Sequence, residues 1–176
     1  RVRPLFGADS FELRGVVTTQ YGACLGICDY PEATETGYLN RLLSADFEFI
    51  LTQSFQFLSK PVATTLLERQ RNRLHTTEDH AISQVDAIDD ALDDLTSHRL
   101  VFGEHHLVLT IFGASQVDLR DHLAHASAIL VDCAMVVARE DWALAGAYWS
   151  QLPLNSQYRP RPAPITSRNF ACLTGF

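Results

Sequence analysis

The stretch PVATTLLERQRNRLHTTEDHAISQVDAIDDALDDLTSHR, residues 61–99, lies between two β-rich runs, DFEFILTQSFQFL at 46–58 and LVFGEHHLVLTIF at 100–112. It contains no glycine, and its one proline, Pro61, opens it, where proline suits a first helical turn. Its apolar residues fall at Val62, Leu66, Leu74, Ile82, Val85, Ile88, Leu92 and Leu95. Steps near three, four, seven or eight make one stripe of an amphipathic helix. As a single helix it would extend about 55 Å at about 1.5 Å per residue, whereas a compact chain of this length is only about 40 Å across. His75-Thr76-Thr77-Glu78-Asp79 offers a break, with a threonine capping a second helix and two acids in its first turn. On periodicity alone, one long helix and a pair of helices both remain open.

The flanking runs decide between them. Phe47, Phe49, Leu51, Gln53, Phe55 and Phe57 share one side of the first run, and the other side is mostly polar. This predicts a strand in a sheet covered on one side, with the aromatic side as the central core face. The second run is again a strand, and Gly103 within it suggests a bulge or a close backbone approach. FELRG at 11–15 and VVTTQYGACLGICDY at 16–30 are strand-like, with Tyr21, Ala23, Leu25 and Ile27 alternating against Gly22, Cys24, Gly26 and Cys28. A short helix is expected around Tyr38, Leu39, Leu42 and Leu43, a longer one over 115–134 capped by Ser115, a short strand at 135–137, and a last short helix over 142–152.

Leaving aside the amino-terminal strand or hairpin, the order is strand, helix, strand, then strand, helix, strand. The predicted fold class is therefore α+β, a ferredoxin-like split β-α-β sandwich. In that topology the second and third strands are adjacent, so residues 61–98 must return to where they left, which favours a helical hairpin. Residues 1–152 are expected to form this domain with its insertion, and 153–176 a proline-rich linker leading into a further region.

Composition narrows the function classes. A net charge of −7 argues against a dedicated nucleic-acid binder, which carries a basic face. Cys24, Cys28, Cys133 and Cys172 are too few and too scattered for a disulfide framework and fit a reducing compartment. No apolar run approaches the roughly 20 residues of a membrane span. The chain begins at Arg1 rather than Met and stops at Phe176 just after an apolar run, so it reads as a piece of a larger protein.

Candidate chemistry is sparse. In Glu104-His105-His106 the two rings point to opposite faces of a strand and cannot share an ion, so they are expected to be ordinary strand residues on a wet face and an edge. Cys24 and Cys28, four apart on a strand, are about 13 Å from one another, too far for a common zinc without a bulge. No G-x-S-x-G elbow, no G-x-x-x-x-G-K-[ST] loop and no G-x-G-x-x-G occurs in the sequence. No catalytic, cofactor-binding or metal-ligating residue is therefore assigned. The acids Asp86, Asp89, Asp90, Asp93 and Asp94 are a candidate partner surface, weighed against an ordinary solvated face. Arg159, Arg161 and Arg168 among prolines read as a linker that docks on a neighbour.

Several stretches carry a resemblance. FEFILTQSFQFL at 47–58, AISQVDAIDDALDDLTSHRLVFGEHHLVLTIFG at 81–113, REDWALAGAYWSQLPLNSQYRPR at 139–161 and ITSRNFACL at 165–173 resemble the amino-terminal region of the CagE/TrbE/VirB family, the large traffic ATPases of type IV secretion and conjugation machines. The FGEHH, W-x-Q-L-P-x-N and SRNFA stretches are its most specific parts. The resemblance implies a docking and assembly segment at the cytoplasmic face of the bacterial inner membrane, a homo-oligomeric parent, and partners among the inner-membrane and cytoplasmic components of the machine. It also implies that ATP and Mg bind a motor domain that lies carboxy-terminal to this segment. The alternative is a free-standing α+β enzyme or ligand-binding domain, which a buried pocket lined by His105 or His106 would favour.

Overall fold

A computed structural model describes residues 2–31, 33–76 and 82–174. Seven strands form one antiparallel sheet. They are β1 (Arg3–Phe6), β2 (Phe11–Arg14), β3 (Thr19–Asp29), β4 (Phe49–Phe57), β5 (Phe102–Gly113), β6 (Val136–Arg139) and β7 (Ala163–Thr166). The helices are α1 (Lys60–Thr76), α2 (Ile82–Thr96), α3 (Gln116–Asp132), α4 (Leu144–Ser150) and α5 (Ser167–Thr174). The fold class is α+β, as expected.

Strands β3 and β5 are the spine. Tyr21 to Gly26 pair with Gly113 to Val108, and each strand is then shared between two neighbours on its far side or along its length. β3 carries β2 on its first half and β6 on its second. β5 carries β4 along one edge and gives the end of its other edge to β7. Four strands thus lie side by side in the order β6, β3, β5, β4, the neighbours expected of a split β-α-β unit. The connection from β3 to β4 departs from that unit: it holds a five-residue 3-10 turn, Asn40–Ser44, where an α-helix was expected. Leu39 and Leu42 of this segment are nevertheless buried in the main core.

The sheet is covered on both faces, not on one. On the first face α3 packs on Ala23, Leu25, Leu107, Leu109 and Ile111 through Leu119, Leu123, Ala126 and Leu130. Ser115 caps this helix, its Oγ accepting from the Asp118 amide at 3.1 Å. On the second face α4 sets Leu144 and Ala147 against Phe11, Cys24, Val108 and Phe112. That is why β5 is buried almost from end to end, as a strand covered on both faces should be.

Strand β4 is an edge rather than the centre. Phe47 is buried and Phe49, Leu51 and Phe55 are half-buried against the main core, but Phe57 is 71% exposed. The aromatic side was expected to be the central core face; β3 and β5 take that place instead. Gly103 makes no bulge, since the register with β4 runs through it to Phe57. It allows a close approach instead, because a Cβ there would overlap the Phe55 ring.

Between β4 and β5 the chain carries the two helices α1 and α2. Lys60 Nζ donates to the Thr96 carbonyl at 2.9 Å, so the start of α1 lies beside the end of α2 and the two helices run antiparallel. Ala63 and Leu67 of α1 close with Ile88 and Leu95 of α2 on Phe102, giving the hairpin a small core of its own. At its base the Leu58 amide donates to the Phe102 carbonyl at 2.9 Å. α2 ends at Thr96, and two residues on His98 has a φ of 58°, which puts a non-glycine residue in the left-handed region. The Arg99 amide then donates to the Asp94 carbonyl at 2.9 Å. The capping expected of Thr77, with Glu78 and Asp79 in the first turn, lies outside the described residues.

From 153 onward the chain was expected to link to a further region, and its described part is built into this sheet. β7 pairs with β5, and Ile165 and Leu173 join the main core.

Candidate functional site

The acidic residues singled out in the sequence all lie on α2, and its geometry brings them together. At about 100° per residue, Asp86, Asp89, Asp90, Asp93 and Asp94 fall within about 140° of the helix circumference. Ile88 and Leu95, buried under the hairpin, take the opposite side. Asp86, Asp89, Asp90 and Asp93 are exposed and Asp94 is half-exposed. Asp89 pairs with Arg71 of α1 at 3.1 Å, and Asp94 pairs with Arg99 at 2.6 Å. Asp86, Asp90 and Asp93 have no ion pair among the described residues. The helix dipole disfavours acids in the last turn by about 0.3–1 kcal/mol each, and no base on α2 itself offsets it there.

Beside this acidic face lies an open apolar one. A groove of about 450 Å³ runs between the helices, lined by Leu67, Gln70, Ala87, Ile88, Ala91 and Phe102. Val62 and Leu66 of α1 are partly exposed next to Arg69. The hairpin therefore presents an acidic ridge and an apolar trough.

The structure overturns the expectation for the histidines. His105 and His106 were expected on a wet face and an edge, yet they are 0% and 1% exposed. They do point to opposite faces. His105 lies against Tyr30 and Phe170 on the α3 side. Its Nδ1 and the Tyr30 hydroxyl are 2.7 Å apart, and its Nε2 is 3.1 Å from Gln53 Oε1. Burial, with His106 adding to it, lowers its pKa to about 4. His106 lies on the α4 side, where neither ring nitrogen meets a hydrogen-bond partner among the described residues. Burial and the nearby Arg159 charge lower its pKa to about 4 as well.

The proline-rich segment docks beside His106, whose cross-strand partner on β4 is Ser54. Arg159 donates to Ser54 Oγ at 3.2 Å and to Gln56 Oε1 at 2.6 Å on β4. Arg161 donates through Nε to Glu140 Oε1 at 2.8 Å. The Glu140 side chain is fully buried, and its second oxygen has no hydrogen-bond partner among the described residues. Gly26 makes room for this carboxylate, since a Cβ there would overlap it. Arg159 and Arg161, expected to dock on a neighbour, therefore dock on their own sheet. Glu140 escaped sequence reasoning because Arg-Glu-Asp at 139–141 looks like a surface turn; the one hint was a glycine inside β3.

Cys24 is buried with its sulfur 3.5 Å from Thr110 Oγ1, and burial pushes its thiol pKa up to about 11. Cys28, four residues on, is exposed. No helix among the described residues is long and apolar enough to cross a membrane.

The fold and its surfaces define a helix-covered antiparallel sheet that carries a projecting helical hairpin. The chain belongs to the CagE, TrbE, VirB family, component of type IV transporter system, whose model matches residues 3–161. It is 45% identical over 174 residues to the type IV secretion system protein virB4 of Bartonella henselae, covering 99% of this chain and 22% of that protein. It is 38% identical over 174 residues to protein virB4 of Rhizobium radiobacter, covering 99% of this chain and 22% of the relative. The virB4 protein of Brucella melitensis is 38% identical over 170 residues, 97% of this chain and 20% of its own length. The chain thus spans about a fifth of the length of these curated relatives.

Proposed function

We propose that this segment is the docking and assembly part of a type IV secretion ATPase of the VirB4 kind, placed at the cytoplasmic face of the inner membrane. ATP and Mg would act in the region of the parent protein beyond it, and the segment itself would carry no catalytic residue. The observation that supports this best is the hairpin: five acids share one side of α2, and three of them lack an ion pair among the described residues. A basic segment, such as the cytoplasmic flank of an inner-membrane component, would offset their mutual repulsion and their clash with the helix dipole, and would associate faster through charge complementarity. The buried histidines do not favour an enzyme, because neither ring is open to solvent.

The test is recovery of inner-membrane components by the full-length protein, with wild type compared to Asp86, Asp89, Asp90, Asp93 and Asp94 each changed to Asn together. Loss of recovery at low salt, with folding intact, is the expected result. Undiminished recovery at both low and high salt would reduce the acidic side of α2 to solvation alone.

A further inference from the structure

The edge of β4 is unlike the other edges of the sheet. β4 pairs only with β5, in unbroken register from Phe49 to Phe57. The Phe112 amide donates to the Glu48 carbonyl, and the Leu58 amide to the Phe102 carbonyl, so the even-numbered residues of β4 turn their backbone groups towards β5. In an antiparallel ladder the alternate residues must then point the other way. Phe49, Leu51, Gln53, Phe55 and Phe57 therefore offer their amides and carbonyls outward, and no backbone bond among the described residues reaches them.

Exposed edges are normally blunted by proline, charge or a bulge. Of the other strands paired along one edge only, β1 has Arg3 and Pro4, β6 has Arg139 and β7 has Pro164. β4, with the sequence FILTQSFQF, has no charge, no proline and no bulge over its nine residues. Three of its four mirror pairs about Gln53 match in character: Phe49 mirrors Phe57, Leu51 mirrors Phe55, and Thr52 mirrors Ser54, while Ile50 stands against Gln56.

We infer that β4 is a self-pairing edge, at which a second copy of this chain adds its own β4 antiparallel about a twofold axis through Gln53. In that register every outward residue meets an outward residue of the partner, so all five offered amides and carbonyls of each copy are used. Phe57, which is left exposed in the single chain, would then face Phe49 of the second copy. No like charges fall opposite one another on the strands, since the strand has none. The Arg159 side chains, which lie over Ser54 and Gln56, would be separated by roughly 13 Å along and across the ladder, beyond a Debye length of about 8 Å. A two-fold interface is self-complementary by necessity, and a strand with this partial mirror symmetry meets that demand better than an arbitrary one. The inference deepens the assembly part of the proposed function, but it rests on β4 and not on α2, so neutralising the α2 acids leaves its test unchanged.

The experiment uses the full-length protein with Phe57 replaced by photoreactive benzoylphenylalanine, mixing isotope-labelled and unlabelled copies before irradiation. The expected product is a mixed-label cross-link from position 57 to the region of Phe49 in the other copy. Hydrogen exchange at the amides of Phe49, Leu51, Gln53, Phe55 and Phe57 should slow as protein concentration rises. Phe57→Lys and Thr52→Lys should each raise the dimer dissociation constant by about tenfold or more, through the two symmetric cross-strand contacts each disturbs. Cross-links only within one copy, to another segment or to a different protein would overturn the inference. So would exchange at β4 that is independent of concentration.

Discussion

Lowering the pH from 7 to 5 should destabilise this fold through His105 and His106, and the size of the effect follows from their burial. Each ring is held neutral, with a folded pKa near 4 against an ordinary 6.5. A neutral buried ring contributes stability that is complete above 6.5, falls as pH drops below it and is gone below about 4, because the unfolded chain takes up the proton first. Between pH 7 and 5 the loss is about 2 kcal/mol for each ring, from about 1.4 kcal/mol per pKa unit. Together the two rings cost about 3–4 kcal/mol, a large part of the 5–15 kcal/mol typical of a whole domain. The assay is urea unfolding at pH 7, 6 and 5 for wild type and His106→Phe. The variant removes one titrating ring that has no hydrogen-bond partner to lose among the described residues. It should therefore lose about half as much stability as wild type over this range. Comparison at each pH cancels the carboxylates common to both. Equal pH dependence in the two proteins, to within about 0.5 kcal/mol, would show that His106 is not held neutral by its surroundings.

Ser115→Ala should destabilise the fold by about 1 kcal/mol, read from thermal unfolding, because it frees the Asp118 amide that Ser115 caps. Gly113→Ala should cost about 1–3 kcal/mol in the same assay, since the added Cβ meets the Leu119 backbone at the start of α3, which cannot turn aside as a side chain would. Calorimetric titration of this segment with Mg-ATP should show no saturable heat, in keeping with the lack of a phosphate-cradling glycine loop in its sequence; micromolar binding would contradict the division of labour proposed above.

The parts of this fold that could be read in the sequence are those whose burial is periodic. The stripe from Val62 to Leu95 gave the helices, and the argument that the insertion must return to its origin gave the hairpin. Alternation along β3 separated Tyr21, Ala23, Leu25 and Ile27 from Cys24 correctly, because each set packs on a different layer. The failures came where a distant segment decides burial. Four phenylalanines in and beside β4 looked like the centre of a core, but a strand is central only if something pairs with both its edges, and that is a property of topology. Glu104-His105-His106 looked wet because nothing local announces that Tyr30 and Phe170 lie against His105, or that Arg159, more than fifty residues later, docks on the strand beside His106. Of the candidate docking surface, the acids and their shared side of α2 were legible; the apolar groove beside them was not, since it exists only when two helices lie together.

The anchoring of the hairpin also bears on how quickly the sheet can form. Pairing Phe57 with Gly103 at the base of the hairpin requires the chain to close a loop of about 45 residues, an entropic penalty that grows with the logarithm of loop length. Helices α1 and α2 make their own contacts around Ile88 and Leu95 and are tied at the base by Lys60 and Thr96. Once they are together, only about eight residues still need to be ordered to bring β4 beside β5. By the same scaling this spares about 1.5 kcal/mol, or roughly a tenfold faster closure of the longest strand pairing in the molecule. The insertion that separates β4 from β5 in sequence thus works as the splint that brings them together, and variants that loosen the contact of Ile88 with Leu67 should slow folding more than their small share of the core suggests.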